Sequence, residues 1–397
     1  MFKNKLLFLS PIIVLVIIFI FSLTLIPSVQ PEAKNLPVAI VNEDTGVAIP
    51  NQGQMNMGQT IVEMVKENAE ATADQEDPAV KWIEVSNAEE VQKGLDNQEY
   101  YGALVIPEDF SEKQSSLQTE TPSSPGIELF VNQGMNTMAS TIAGQVLNGV
   151  VDNINNNVRT QLLDGLEQQG VPLTTDQAES LVSPVKKEII TVNETGANSA
   201  NGNAPSSLFQ PLWMASIASA AIIFIALRKV TTTNRKENFS VKMMQIIAGA
   251  IVTLVVGFGL TWMADTIAGF HIPDFTSTAF FLAITSFSFF LMISAVLSVI
   301  GLKGIPIFIL MLFFGAPLLA MAPEMLSPFY QHWIYAWLPM RFMVEGLREL
   351  LFFDTGLTWG SVSTLVWIGI AGMVILLASA LQSKTTTKET EDQALVG

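Results

Sequence analysis

The sequence predicts a polytopic α-helical membrane protein with six transmembrane helices, one and then five. A large α/β plus helical extracellular domain is inserted between helices 1 and 2. Three observations carry this. Six apolar runs, Leu6–Ile26, Phe209–Leu227, Met243–Ala264, Thr278–Ile300, Ile305–Ala322 and Trp359–Leu381, contain no Asp, Glu, Lys, Arg or His. Each approaches the roughly 20 residues that cross about 30 Å of hydrocarbon at 1.5 Å per residue. Between the first two runs lie 182 residues of ordinary soluble composition, enough for a core of their own.

Charge orients the spans. Lys3, Lys5, Arg228, Lys229, Arg235, Lys236, Lys242, Lys303, Lys384 and Lys388 fall on one side, and only Arg341 and Arg348 on the other outside the large domain. The side rich in Lys and Arg is the cytoplasmic one, so both termini are expected there. Trp213, Trp262 and Trp359 fall at the opposite ends of their spans, where indole rings favour the interface. The expected location is the cell membrane, multi-pass. The first run could be misread as a secretory signal, but its 21 residues exceed the usual h-region and no small-x-small site follows. It is expected to be an uncleaved anchor.

The expected divisions are 1–26 for the cytoplasmic N-terminus and helix 1, 27–134 for the α/β domain, and 135–208 for a helical arm and linker. Residues 209–381 follow as the five-helix membrane domain, and 382–397 as a cytoplasmic tail. Residues 27–208 carry a net charge of −18 and the remainder +2, so the acidity belongs to the inserted domain. That sign excludes nucleic-acid binding by this face and suits a solvated surface. With no cysteine there are no disulfides and no thiolate chemistry.

Within the inserted domain, strands are expected at Leu36–Asn42, Val80–Val85, Tyr101–Ile106 and Gly126–Val131. Helices are expected over Gly58–Ala73, from an Asn87 cap to Leu95, and from Ser111. Strand and helix in alternation predict a layered α/β domain around one sheet. Ile142, Val146, Val150, Ile154, Val158, Leu162 and Leu166 recur every four residues. That stripe predicts a long amphipathic helix packed on the domain, followed by a shorter helical stretch interrupted at Pro184.

Val38-Ala-Ile-Val-Asn-Glu-Asp-Thr-Gly46, Met57-Gly58, Trp82, Tyr100-Tyr-Gly-Ala-Leu-Val-Ile-Pro-Glu-Asp-Phe-Ser111 and Leu129-Phe-Val-Asn-Gln-Gly134 resemble the outer domain of the YhgE/Pip (phage infection protein) family. Read from the residues alone, Asn42–Gly46 is a tight turn after a strand, and Ile106-Pro107 ends a strand before a Ser-capped helix. Oxygens of Asn42, Glu43 and Asp44 could also face a hard cation, although three residues in one turn are a weak signal.

Trp337-Leu-Pro-Met-Arg-Phe-Met-Val-Glu-Gly-Leu-Arg-Glu-Leu-Leu351 resembles ABC-2-type permeases, which implies outer re-entrant helices at about 324–353. Pro339 suits a first helical turn, and Arg341, Glu345 and Arg348 share one face, either as a structural network or as the lining of an exit. The resemblance also implies that the basic loop containing Arg228, Lys229, Arg235 and Lys236 docks a separate ATPase; an anchor beside anionic lipid is the other reading. It implies a homodimer in the lipid bilayer. Only five residues precede the first run, which leaves no room for the amphipathic helix many ABC-2 permeases carry there.

No P-loop motif occurs, and His271 and His332, the only histidines, form no metal or triad pattern. Charge-free spans disfavour an ion-coupled carrier. The expectation is a permease-like subunit exporting an apolar or envelope-related substrate, with no enzyme activity, no cofactor and energy from a separate ATPase. The alternative is a non-transporting surface protein, a phage attachment site or a secretion-system scaffold.

Overall fold

The computed structural model describes residues 32–49, 53–73, 77–119, 121–169 and 174–381, with Ile12, Leu15, Val16 and Phe19 before them. Those four residues are helical and exposed; the rest of the first predicted span, and the tail after 381, lie outside the described residues. The chain divides into two compact units, residues 1–203 with 317–337, and residues 204–316 with 338–397.

The first unit is built on a five-stranded sheet of order β4-β1-β5-β6-β7. Its strands are β1 (Leu36–Asn42), β4 (Val80–Glu84), β5 (Gly102–Ile106), β6 (Gly126–Asn132) and β7 (Lys186–Val192). The β5–β6 pair is antiparallel and the other pairs are parallel. A small hairpin, β2 (Val47–Ile49) and β3 (Gly53–Met55), stands beside it. The central strands are buried on both faces, as their near-continuous apolar sequences require. Helix α1 (Met57–Ala73) packs on β1 and β4, and α2 (Ala88–Asp96) on β1 and β5. The short α3 (Phe110–Ser116) follows β5 and packs against α1.

Helix α4 (Thr137–Gln169) lies along the sheet and contacts β6 and β5. Its buried row is Ala139, Ala143, Leu147, Val151, Ile154, Val158 and Leu162. Of the expected stripe, Ile154, Val158 and Leu162 are therefore inside, Ile142, Val146 and Val150 flank the contact, and the Leu166 side chain lies outside the described residues. Small alanines at the start let the helix approach the strands closely. After α5 (Thr175–Val182), Pro184 does not interrupt a helical arm; the chain turns there into β7, which pairs with β6 over seven residues. Residues 135–192 thus complete the sheet layer. Lys186–Val192 is a strand because Ile189, Ile190, Thr191 and Val192 are β-branched.

In the second unit, α6 is Ala204–Arg228, α7 Arg235–Trp262, α8 Phe275–Ile300, α9 Ile305–Leu319 (its last residues passing into the first unit), α10 Pro339–Phe352 and α11 Trp359–Ala378. Four helical runs are long and apolar enough to cross a membrane among the described residues: Ala204–Arg228, Arg235–Ile267, Phe275–Leu319 and Trp359–Leu381. The third folds back on itself. Trp213 touches both Phe289 on α8 and Phe308 on α9, at ring-centroid distances of 4.9 and 6.2 Å. In one straight helix those two residues would be about 28 Å apart. The reversal falls at the Gly301–Gly304 turn, where Gly301 has φ of 68°. The same tryptophan corrects the interfacial reading: Trp213 is fully buried and its Nε1 donates to the Phe308 carbonyl at 2.9 Å. Trp262 and Trp359 are exposed.

Helix α8 is the hub, in contact with α6, α7, α10 and α11. On α7 the buried face is Gln245, Gly249, Thr253, Gly257 and Thr261, one residue every four, while Ile247, Ile251 and Val255 are exposed. Small and polar residues inside with large apolar ones outside is the arrangement a lipid solvent favours. The hydroxyls do not stay unmet: Thr253 and Thr261 donate to the carbonyls of Gly249 and Gly257 four residues back. A β-carbon at Gly257 would stand 2.5 Å from the Ala283 nitrogen, and one at Gly372 of α11 would stand 2.7 Å from the Leu291 carbonyl carbon. Backbones therefore meet on both flanks of α8.

Candidate functional site

The residues of the turn after β1 converge on one buried carboxylate. Asp44 is 6% exposed. Its Oδ1 accepts from the Gly46 and Ser111 amides at 3.2 and 2.9 Å, and its Oδ2 from the Gly58 amide at 3.0 Å and from the Ser111 hydroxyl. The Ser111 oxygen in turn accepts from the Met57 amide at 2.8 Å. Gly58 and Ser111 lie in the first turns of α1 and α3, so a single carboxylate closes the open amide ends of two helices. Gly58 has to be glycine: a β-carbon would stand 2.1 Å from the Asn42 side-chain oxygen. Ser111 is consequently not the cap of its own helix, whose capping position is Asp109. Asn56 caps α1 through the Gln59 amide, and Glu43 accepts from the Ala88 amide at the start of α2.

This geometry decides between the two uses of the turn. The Asp44 oxygens are engaged by N–H and O–H donors and Glu43 by a helix amide, so the turn's acidic groups serve helix ends and not a cation. No cluster of His, Asp and Glu fit to hold a metal occurs among the described residues. Asn132 makes a second knot, its Nδ2 donating to the Leu95 and Tyr100 carbonyls and its Oδ1 accepting from Asn193. The Tyr100 ring lies over Gly94, and the Tyr101 hydroxyl donates to the Glu324 carboxylate at 2.8 Å. Along β6 and β7, Glu128 and Glu188 stand in register. Burial first, then the Glu188 and Glu43 charges, push the Glu128 carboxyl above its ordinary range.

The predicted charged stripe lies on α10. Pro339 opens the helix in its first turn. Arg341 Nε stands 3.9 Å from Glu345 Oε1, and the guanidinium lies 4.6 Å from the Phe342 ring centroid. Arg348 follows one turn on. The opposite face, with Met340, Met343, Leu347 and Leu350, is buried against α11, α6 and α8. Sequence reasoning passed over Glu349, whose carboxyl is raised by burial and then by Glu345. Before α10, residues 323–337 form short 3-10 and π turns and not a second α-helix.

The four basic loop residues sit at two helix ends and are all exposed. Arg228 is the last residue of α6 and Lys229 follows it; Arg235 and Lys236 open α7. Asn234 caps α7 through the Glu237 amide, and Glu237 accepts from the Thr233 amide, so the loop has a defined shape. A cation at a helix C-terminus is favourable, but two at an N-terminus oppose the helix dipole. Arg235 and Lys236 therefore do nothing for α7 itself.

A family model described as a protein of unknown function, DUF3533, matches residues 9–367. The uncharacterized protein YhgE of Bacillus subtilis (strain 168) is 26% identical over 126 residues, which span 32% of this chain and 15% of that protein. Most of the Bacillus protein thus lies outside the match. The crystal structure of a domain of a provisionally assigned ABC type-2 transporter from Thermotoga maritima MSB8 is similar at 18% identity and a TM-score of 0.24, covering 39% of this chain and 84% of that domain.

Proposed function

This chain belongs to the DUF3533 family, which covers YhgE-like proteins, and from that premise we propose an ABC-2-type permease-like membrane subunit energised by a separate ATPase. Its work is export of an apolar or envelope-related substrate. Six spans cross the bilayer, residues 27–208 face outward, both termini are cytoplasmic and the subunit pairs with a second copy. The observation that carries the proposal is α10. A 14-residue amphipathic helix, too short to span, carries Arg341, Glu345 and Arg348 and packs its apolar face on three membrane helices. Such a helix can line an exit and move with the bundle, while its ion pair keeps the charges matched beside the apolar layer.

No P-loop is present, so the energy that biases one state over another has to enter through a partner. Arg235 and Lys236, exposed and without benefit to their own helix, are the proposed contact, with Arg228 and Lys229 beside them. No catalytic step is assigned to this chain. The expected result is that Arg235→Ala with Lys236→Ala leaves insertion intact but lowers ATPase co-purification from native membranes at least several-fold. Equal recovery of the ATPase by the double mutant and the wild type would contradict the docking role. A second reading, a non-transporting attachment or scaffold protein, is favoured by the acidic sheet unit and its open cavity of about 680 Å³ between α1, β4 and α4. Absence of any ATPase from the wild-type pull-down would favour that reading.

A further inference from the structure

Where the ends of α6, α7, α8 and α11 come together, they enclose a cavity of about 600 Å³. Arg228, Lys242 and Lys303 line it, and no carboxylate does among the described residues. Leu227 and Leu297 give it apolar wall beside the cations. Gln245, at the head of the buried α7 face, also lines it; it is 2% exposed and its Nε2 has no hydrogen-bond partner. Other polar groups on that face, Thr253 and Thr261, are satisfied by backbone carbonyls. A buried donor without an acceptor is disfavoured, and one that faces a basic cavity calls for an acceptor there.

The cations have a simpler use. Three helices end at this cavity, and helix C-termini attract positive charge. That accounts for Arg228 and in part for Lys303, but neither for the open volume nor for the unmet amide of Gln245. We propose that the cavity receives the phosphate of an anionic phospholipid from the adjoining leaflet. The cations balance its charge, Gln245 Nε2 donates to a phosphate oxygen, and the acyl chains run along exposed Ile247 and Ile251. Basic pockets between membrane helices are suited to such headgroups, and the apolar wall favours a lipid over a free phosphate ion. The inference needs only a membrane setting, so a failed ATPase pull-down leaves it standing.

The test is thermal unfolding of the purified full chain in detergent, titrated with short-chain phosphatidylglycerol, with phosphatidylcholine of the same chains, and with inorganic phosphate. Phosphatidylglycerol should raise the melting temperature saturably, and the other two should not. Lys303→Gln and Gln245→Leu should each weaken the midpoint about five-fold, while Lys81→Gln, in the sheet unit, should not change it. If Gln245→Leu does not fold, Lys303→Gln carries the test alone. Equal effects of the two lipids, saturation by inorganic phosphate at the same midpoint, or an unchanged midpoint in Lys303→Gln would each overturn the proposal.

Discussion

Asp44→Ala is expected to destabilise the folded chain by about 3–5 kcal/mol, the scale for removing one member of a buried charged network. The carboxylate receives three amides and a hydroxyl from the turn, α1 and α3. Truncation leaves the amides of Gly46, Gly58 and Ser111 facing a void, and each buried donor left unmet costs about 1–3 kcal/mol. Asp44→Asn is expected to rescue only part, because one oxygen becomes an NH₂ that meets donors with a donor. Ser111→Ala removes one hydroxyl and should cost less than either. Thermal unfolding and yield of the full chain in detergent give the ranking. A loss under about 1 kcal/mol for Asp44→Ala would show that the turn does not tie the two helices.

Gly372→Leu and Gly257→Leu should be the most damaging changes in the helical unit. At both sites a single β-carbon already stands 2.5–2.7 Å from backbone atoms of α8. Backbone cannot step aside as a flexible side chain can, so the helices must separate. Overpacking of this kind costs about 1–3 kcal/mol for a few methylenes, and more where nothing yields. The contact is also the attraction itself, since helices in lipid associate through close packing rather than through exclusion of water. Gly259→Leu on the same helix is the control, because a β-carbon there meets nothing within 4 Å. Monodisperse yield after extraction should fall sharply for the first two and stay near wild type for the third.

What could be read in the sequence was whatever rests on local pattern. Strands β1, β4, β5 and β6 and the Asn87 cap announce themselves within a dozen residues, and the structure places them as expected; of the apolar runs, four long helical stretches stand among the described residues. Contacts across long separations were less legible. The Asp44 turn was recognised as a turn, but its bonds to Gly58 and Ser111 span 14 and 67 residues. The acidic turn, the Met-Gly pair and the Phe-Ser pair stood together in the resemblance to one family, but no contact among them could be read from spacing. Strand β7 was hidden because Pro184 reads as a break in a helix when the partner strand, 60 residues earlier in register, is not in view. Trp213 was assigned to the interface from its position in a span, whereas three neighbouring aromatic rings and the Phe308 carbonyl decide its place. The small-residue face of α7 was visible as Gly249, Thr253, Gly257 and Thr261 at intervals of four, but hydropathy alone does not register it. Of the candidate site, the Arg341–Glu345 pair followed from helical spacing; the half-buried Glu349 and the buried Gln245 did not, since burial is a property of neighbours.

An ATPase can reach the basic loop only from the cytoplasm, so the side of the membrane on which the sheet unit and the loop lie is decisive. With no native cysteine, single substitutions report this cleanly. Cysteines at Ser124 and at the exposed Ala197 in the sheet unit should react with an impermeant maleimide on intact cells. A cysteine at the exposed Thr231, between α6 and α7, should react only after the cells are opened. Labelling of Thr231→Cys on intact cells, or protection of Ser124→Cys, would contradict the account.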